Sequence, residues 1–212
     1  MAVLIAGANG QIGQHLVKRL VKAGHTVKAG VRAPEQISDM RDLGAEGVLL
    51  DLTKPELFPS ALEGVDQVAF TAGSGGEAVE AVDRDGAISL IDATVQAGIP
   101  RFVMLSSVMV DEPEKGPDGL KDYLKAKQVA DNHLKGTDLS YTIIRPVALT
   151  NDAPTGKIKT DGIEFANASI PRADVAHALQ VAAELDNKPR DIIEIASGDA
   201  AIEQSIGGKV AA

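Results

Sequence analysis

The feature that most constrains this chain is its first turn. Ala2-Val3-Leu4-Ile5-Ala6 is a short apolar run that breaks into Gly7-Ala8-Asn9-Gly10-Gln11-Ile12-Gly13 and then into a helical pattern. An apolar run of this length reads as a strand buried on both faces of a parallel sheet. The glycines permit a tight turn, let backbone approach a pyrophosphate, and allow a helix to pack closely on the strand. Ile12, Leu16 and Leu20, with Val17 and Val21 beside them, give that helix one apolar stripe. Its free N–H groups and its dipole favour phosphate charge at the helix start. Strand, glycine turn and helix in this order predict a dinucleotide site at Gly7, Asn9, Gly10, Gln11, Ile12 and Gly13.

The rest of the chain continues the alternation. Strands are expected at about 25–31, 46–50, 66–70, 101–105 and 141–144, separated by helical patterns at about 34–44, 77–97 and 119–135 and by a shorter one that Pro55 opens. This wiring predicts an α/β fold, a Rossmann-type doubly wound parallel sheet in the order 3-2-1-4-5-6. After Pro146 the alternation weakens. Residues 151–162 read as a loop or short hairpin, 171–185 as a helix and 191–195 as a late strand. The expectation is one domain over 1–212, with 147–212 as a small, non-autonomous appendage on the substrate side.

Composition excludes several functions. With 212 residues and 44% hydrophobic content the chain can bury a real core. Its net charge of −9 argues against nucleic acid, which demands clustered Lys and Arg. The absence of cysteine removes disulfides, thiolate metal sites and cysteine nucleophiles. His15, His25, His133 and His177 show no metal-ligand spacing, so no metal is expected. No apolar segment is long enough to span a bilayer, and no targeting peptide precedes the first strand. These features suggest a cytoplasmic protein, a monomer or homodimer, acting on a small molecule.

The end of the second strand bears on the choice of dinucleotide. NAD-binding chains place an acid there for the ribose hydroxyls. Here Val31 is followed by Arg32, whose guanidinium can pair with a 2′-phosphate, so NADP is favoured over NAD. Asp51 and Leu52, after the third strand, can border the adenine, although Asp51 also suits a helix cap. Thr71, Ala72 and Gly73, after the fourth strand, are counted with the cofactor site. Gly73-Ser74-Gly75-Gly76 lacks the Lys-Ser/Thr of a nucleoside triphosphatase and reads as a close backbone approach. Ser106 and Ser107 follow the fifth strand. Tyr123 and Lys127 fall four apart on one helix face. A lysine ammonium one turn away favours the phenolate and lowers the pKa of a tyrosine, fitting it for proton transfer near neutral pH. The acidic run Asp111-Glu112-Pro113-Glu114 reads as a solvated loop, and Arg172 with Asp174 as a helix-start pair.

Together these segments resemble the short-chain dehydrogenase/reductase family, closest to its short atypical NAD(P)-binding members. The resemblance rests on Gly7 to Gly13, Val82-Asp83, 88–93, Arg101 to Ser107, Tyr123 to Lys127, Tyr141 to Pro146 and Pro171 to Ala176. It implies a catalytic Ser107, Tyr123 and Lys127, with Lys127 also holding the nicotinamide ribose, and cofactor contacts at Ser106, Pro146 and Val147. The family's supporting Asn falls on Asp83, a departure. An amide donates and accepts hydrogen bonds, whereas an ionised carboxylate only accepts and works against a phenolate. Three functions follow: an NADP-dependent oxidoreductase transferring hydride to a small carbonyl or from an alcohol, a non-enzymatic NADP-binding sensor, and an epimerase or dehydratase with a tightly held dinucleotide. The short tail after Pro146 counts against the last.

Overall fold

The computed structural model describes residues 1–186 and 190–209. Strand β1 (Ala2–Ala6) lies in a nine-stranded sheet between β2 (Thr26–Val31) and β4 (Gln67–Phe70), with β3 (Glu46–Leu49) outside β2. β5 (Arg101–Leu105) and β6 (Ser140–Pro146) follow β4, all six parallel, in the order predicted from the sequence. The side chains of β1 alternate between two cores. Val3 and Ile5 join one apolar cluster with Leu16 and Leu20 of helix α1 (Gln11–Lys22). Leu4 and Ala6 join a second with Phe58 of α3 (Phe58–Leu62) and Leu90 of α4 (Ala87–Gln96). A strand apolar on both faces must be covered on both, which is why helices flank the sheet on either side. Helix α2 (Ile37–Asp42) connects β2 to β3, and α5 (Lys121–Lys135) connects β5 to β6.

The segment read as one helix over 77–97 has two windings. Residues Val79–Gly86 form a π-helix and only Ala87–Gln96 is α-helical. The wide turn carries Asp83 inward, where it is fully buried. Gly86 backs onto Leu52, whose Cβ would lie 2.8 Å from a methyl group placed on that glycine.

Beyond β6 the chain does two things. β7 (Ala148–Thr150) and β9 (Ser169–Pro171) pair beside the strand ends, so this stretch borders the cleft described below. The remainder enlarges the body. β10 (Arg190–Ser197) adds a seventh parallel strand against β6, and β8 (Lys157–Lys159) and β11 (Ala200–Ala201) continue the sheet antiparallel. Part of the expected loop over 151–162 is therefore strand β8. Helix α6 (Arg172–Ala183) packs on α1, where Arg19 Nε donates to Gln180 Oε1 at 2.7 Å, and α7 (Ile202–Lys209) joins α6 through His177 and Glu203 at 2.9 Å.

Two helical glycines give opposite expectations. A methyl at Gly13 would meet the carbonyl oxygen of Gly7 and, at 2.8 Å, that of Ala8, both backbone atoms that cannot yield. Gly13→Ala is expected to lower the unfolding free energy by about 1–3 kcal/mol. Gly207, in α7, has nothing within 4 Å of the same position. Gly207→Ala should be neutral or stabilising by up to about 1 kcal/mol. Urea denaturation of the two variants measures both signs.

Candidate cofactor and active site

A cleft of about 1480 Å³ opens at the carboxyl ends of β1, β4, β5 and β6. Ligand pockets commonly hold about 300–1,000 Å³, so it has room for part of a dinucleotide and a second small molecule together. Gly10, Gln11 and Ile12 line one end, Thr71, Ala72 and Gly73 the floor, and Ser106, Ser107, Tyr123, Lys127, Pro146 and Val147 the other side. Gly7, Asn9 and Gly13 form the turn behind it. Gly7 takes a φ of +84°, and a side chain there would press to 2.5 Å from the Ala72 Cα. Thr71 ties the two strand ends together, its backbone N–H and hydroxyl donating to the Ala6 carbonyl at 2.9 and 3.0 Å. The Asn9 carbonyl accepts from the Gln14 amide at 3.0 Å. Helix α1 has neither a side-chain cap at Gly10 nor an acid in its first turn. Its first N–H groups are therefore left to an external acceptor, and its positive end is not neutralised from within.

Arg32, Asp51 and Leu52 stand outside the cleft, past the ends of β2 and β3. Arg32 is exposed, and Leu52 is buried. Asp51 accepts from the Thr53 N–H at 3.0 Å and the Thr53 hydroxyl at 2.7 Å. Burial alone would raise its pKa, but those bonds and the positive charges of Lys54 and Arg32 carry it below the usual carboxylate value. Arg32 therefore shares this corner with a carboxylate already satisfied by its own loop.

Tyr123 and Lys127 lie one turn apart on α5, as their spacing predicts. Tyr123 is half-buried, and its hydroxyl makes no hydrogen bond among the described residues. Lys127 is only 2% exposed. Its Nζ reaches the carbonyls of Ala72 and Leu105 at 3.4 Å and lies 5.7 Å from the centre of the Tyr123 ring. Asp83 Oδ1 stands 3.6 Å from that ammonium, while Oδ2 accepts from the Ser74 N–H at 3.1 Å and its hydroxyl at 2.6 Å. The residue at the Asn position is thus ion-paired with the lysine. Ser107 faces the cleft with no side-chain hydrogen bond among the described residues. The Ser106 hydroxyl is directed elsewhere, donating to Asp131 Oδ2 at 3.0 Å.

That bond belongs to a network the sequence reading missed. Arg145, at the buried end of β6, donates through Nε and Nη2 to Asp131 at 3.1 and 2.9 Å, and through Nη1 and Nη2 to Asp111 at 2.6 and 3.1 Å. Asp111 lies in an exposed loop, as expected, and its carboxylate also tethers that loop to Arg145. It holds the segment after β5, where Met109 takes a φ of +66° and lines the cleft. Burial pushes the Asp131 pKa up against the opposing pull of Arg145 and Ser106. The hydrogen bond from Arg145 holds Asp111 below the usual carboxylate range, so its contribution to stability is present above that range and fades as pH falls through the lowered value. The available signal was Arg145 itself, since a cation in a buried strand demands an acid.

An open glycine turn at the β1–β4 switch point, with Tyr, Lys and Ser on the opposite wall, defines an NAD(P)-binding Rossmann protein of the short-chain dehydrogenase/reductase type. The chain belongs to the NAD(P)H-binding family, whose model matches residues 7–186. It is 37% identical over 212 residues to the Bacillus subtilis protein named uncharacterized sugar epimerase YhfK, covering 97% of this chain and 99% of that one. Among solved structures, it is similar to the Lactococcus lactis oxidoreductase ylbE, with a TM-score of 0.91 and 33% identity over 100% of this chain and 98% of that one. A Bacillus halodurans protein, described as a candidate NAD-dependent epimerase/dehydratase, gives a TM-score of 0.92 and 36% identity over 98% and 99%. No helix among the described residues is long and apolar enough to cross a membrane, and no cluster of metal-binding side chains occurs among them.

The buried network carries its own expectation. Asp131→Ala leaves Arg145 with only the half-exposed Asp111, and is expected to cost about 3 kcal/mol. Asp111→Ala removes a largely solvated carboxylate and should cost about 1 kcal/mol or less. Urea titrations of both variants test the ranking.

Proposed function

We propose that the protein is an NADP-dependent oxidoreductase that reduces a small carbonyl compound, or oxidises the corresponding alcohol. The observation that carries this reading is Tyr123 lining the cleft with no hydrogen bond at its hydroxyl among the described residues, buried Lys127 one turn away and Ser107 lining the same cleft. The residues present fit the dinucleotide. The uncapped start of α1 suits the pyrophosphate, and Arg32 suits a 2′-phosphate, where an acid would repel it. The NAD(P)H-binding family model supports a nicotinamide dinucleotide here, and Arg32 supports the choice of NADP. When bound, NADPH supplies a hydride. The chain supplies the rest. Ser107 donates a hydrogen bond to the substrate oxygen, and Tyr123 gives that oxygen its proton. Lys127 would stabilise the phenolate left behind and would hold the nicotinamide ribose.

The ion pair between Asp83 and Lys127 favours a second reading, a dinucleotide-binding protein without turnover, because it diverts the ammonium from Tyr123. Titration calorimetry with NADPH and NADH, joined to a screen of carbonyl substrates, separates the two. Arg32→Ala is expected to weaken NADPH binding by about 1.5–3 kcal/mol and leave NADH nearly unchanged. Tyr123→Phe should retain NADPH affinity but lose about 100-fold or more in kcat. Equal loss for both dinucleotides on Arg32→Ala would contradict the NADP assignment. Tight NADPH binding without turnover across the screen would favour the sensor.

A further inference from the structure

The cleft contains a positive charge that proton transfer does not use. Most of the cations lining it are already neutralised. Arg84 pairs with Glu80 at 3.2 Å and Asp85 at 2.7 Å, Lys125 with Glu114 at 2.7 Å, and Lys127 with Asp83 at 3.6 Å. Arg172 differs. Its Nη1 donates to the neutral amide oxygen of Asn151 at 3.0 Å, and it has no carboxylate partner among the described residues.

Arg172 and Asp174 both stand in the first turn of α6, as expected, but no bond joins them. Asp174 is buried, and its two oxygens accept from the Thr155 N–H and hydroxyl at 2.9 and 3.1 Å and from the Gly156 N–H at 2.9 Å. Those bonds hold the 151–156 loop down and leave the arginine without its nearest acid. In a chain with 30 acidic and 21 basic residues, an unneutralised guanidinium at a cleft is a selective arrangement. It shares that cleft with Met109, Leu120, Leu149 and Phe165. Leu120 and Phe165 are themselves largely exposed, so they offer apolar surface for a ligand body to cover. A guanidinium has five N–H donors in a fixed fork, and the bond to Asn151 occupies one of them.

We infer that Arg172 receives a carboxylate of the substrate, so that the carbonyl compound handled here is an oxo acid with an apolar body. This rests on the oxidoreductase reading of the cleft. Arg172 is then a specificity residue: it grips the acid end while Tyr123 and Ser107 meet the carbonyl.

The test is calorimetric titration of the NADPH-saturated protein with hexanoate and hexanamide, a pair that differs in charge but hardly in shape. Hexanoate is expected to bind at least about tenfold more tightly, the factor that a charge-assisted hydrogen bond supplies. Arg172→Gln should remove the difference, and Arg172→Lys should keep part of it, since an ammonium retains charge but not the fork. Circular dichroism checks that each variant is folded. Equal affinity for the two probes, no binding of hexanoate at millimolar concentration, or a preference that survives Arg172→Gln would each overturn the inference. Failure of the oxidoreductase reading shows separately, as NADPH binding without turnover across the carbonyl screen or as absent NADPH binding in the first titration. The two probes are then compared on the cofactor-free protein, where the same outcomes decide the role of Arg172.

Discussion

Close backbone approach at the end of β1 is the constraint on which the site depends. Gly7 lies against the backbone of Ala72 too closely for any side chain, and Gly13 lies against the carbonyls of Gly7 and Ala8. These two contacts set the start of α1 directly over the ends of β1 and β4. The sheet order places those strands side by side where the winding reverses, so a crevice forms between their following loops. Thr71 closes its floor by bonding to the Ala6 carbonyl. The uncapped helix end, the floor and the far wall carried by α5 all follow from that packing.

At the opposite wall one buried charge pair sets the chemistry. Lys127 and Asp83 are both removed from water, and each offsets the desolvation cost of the other. Asp83 can occupy this place because residues 79–86 wind as a π-helix, a form that recurs at functional positions. The ammonium is held near the Tyr123 ring, so a phenolate at Tyr123 would share its counterion with Asp83. The family's amide at this position would not compete in that way. In the proposed reaction, turnover would depend on how the ammonium divides between the two oxygen anions.

Local chemistry was legible in the sequence, and long-range charge pairing was not. The apolar run and its glycines identified β1 and its turn because close packing excludes other residues there. The i, i+4 spacing of Tyr123 and Lys127 placed both on one face because helix geometry alone decides it. The six-strand order followed from the connections. By contrast, Arg145 meets Asp111 and Asp131 from three separate segments, and only the fold brings them together. Asp111 is exposed, as its acidic run suggested, but its bond to Arg145 left no local trace. Asp174 stands at the start of α6 as its position suggested, yet its bonds to Thr155 and Gly156 come from a loop that only the fold brings near. β8 and β11 are three and two residues long and carry no pattern of their own; β8 pairs with β10, and β11 with β8.

We propose one placement, in which the glycine turn holds the pyrophosphate of NADPH and the Tyr123 wall holds its nicotinamide. Its most direct test is a crystal structure of the protein with NADPH bound. The pyrophosphate is expected on the N–H groups of Gln11 and Ile12, and the reactive carbon of the nicotinamide is expected to face the Tyr123 hydroxyl. A pyrophosphate bound away from the start of α1, or a nicotinamide turned from Tyr123, would contradict it.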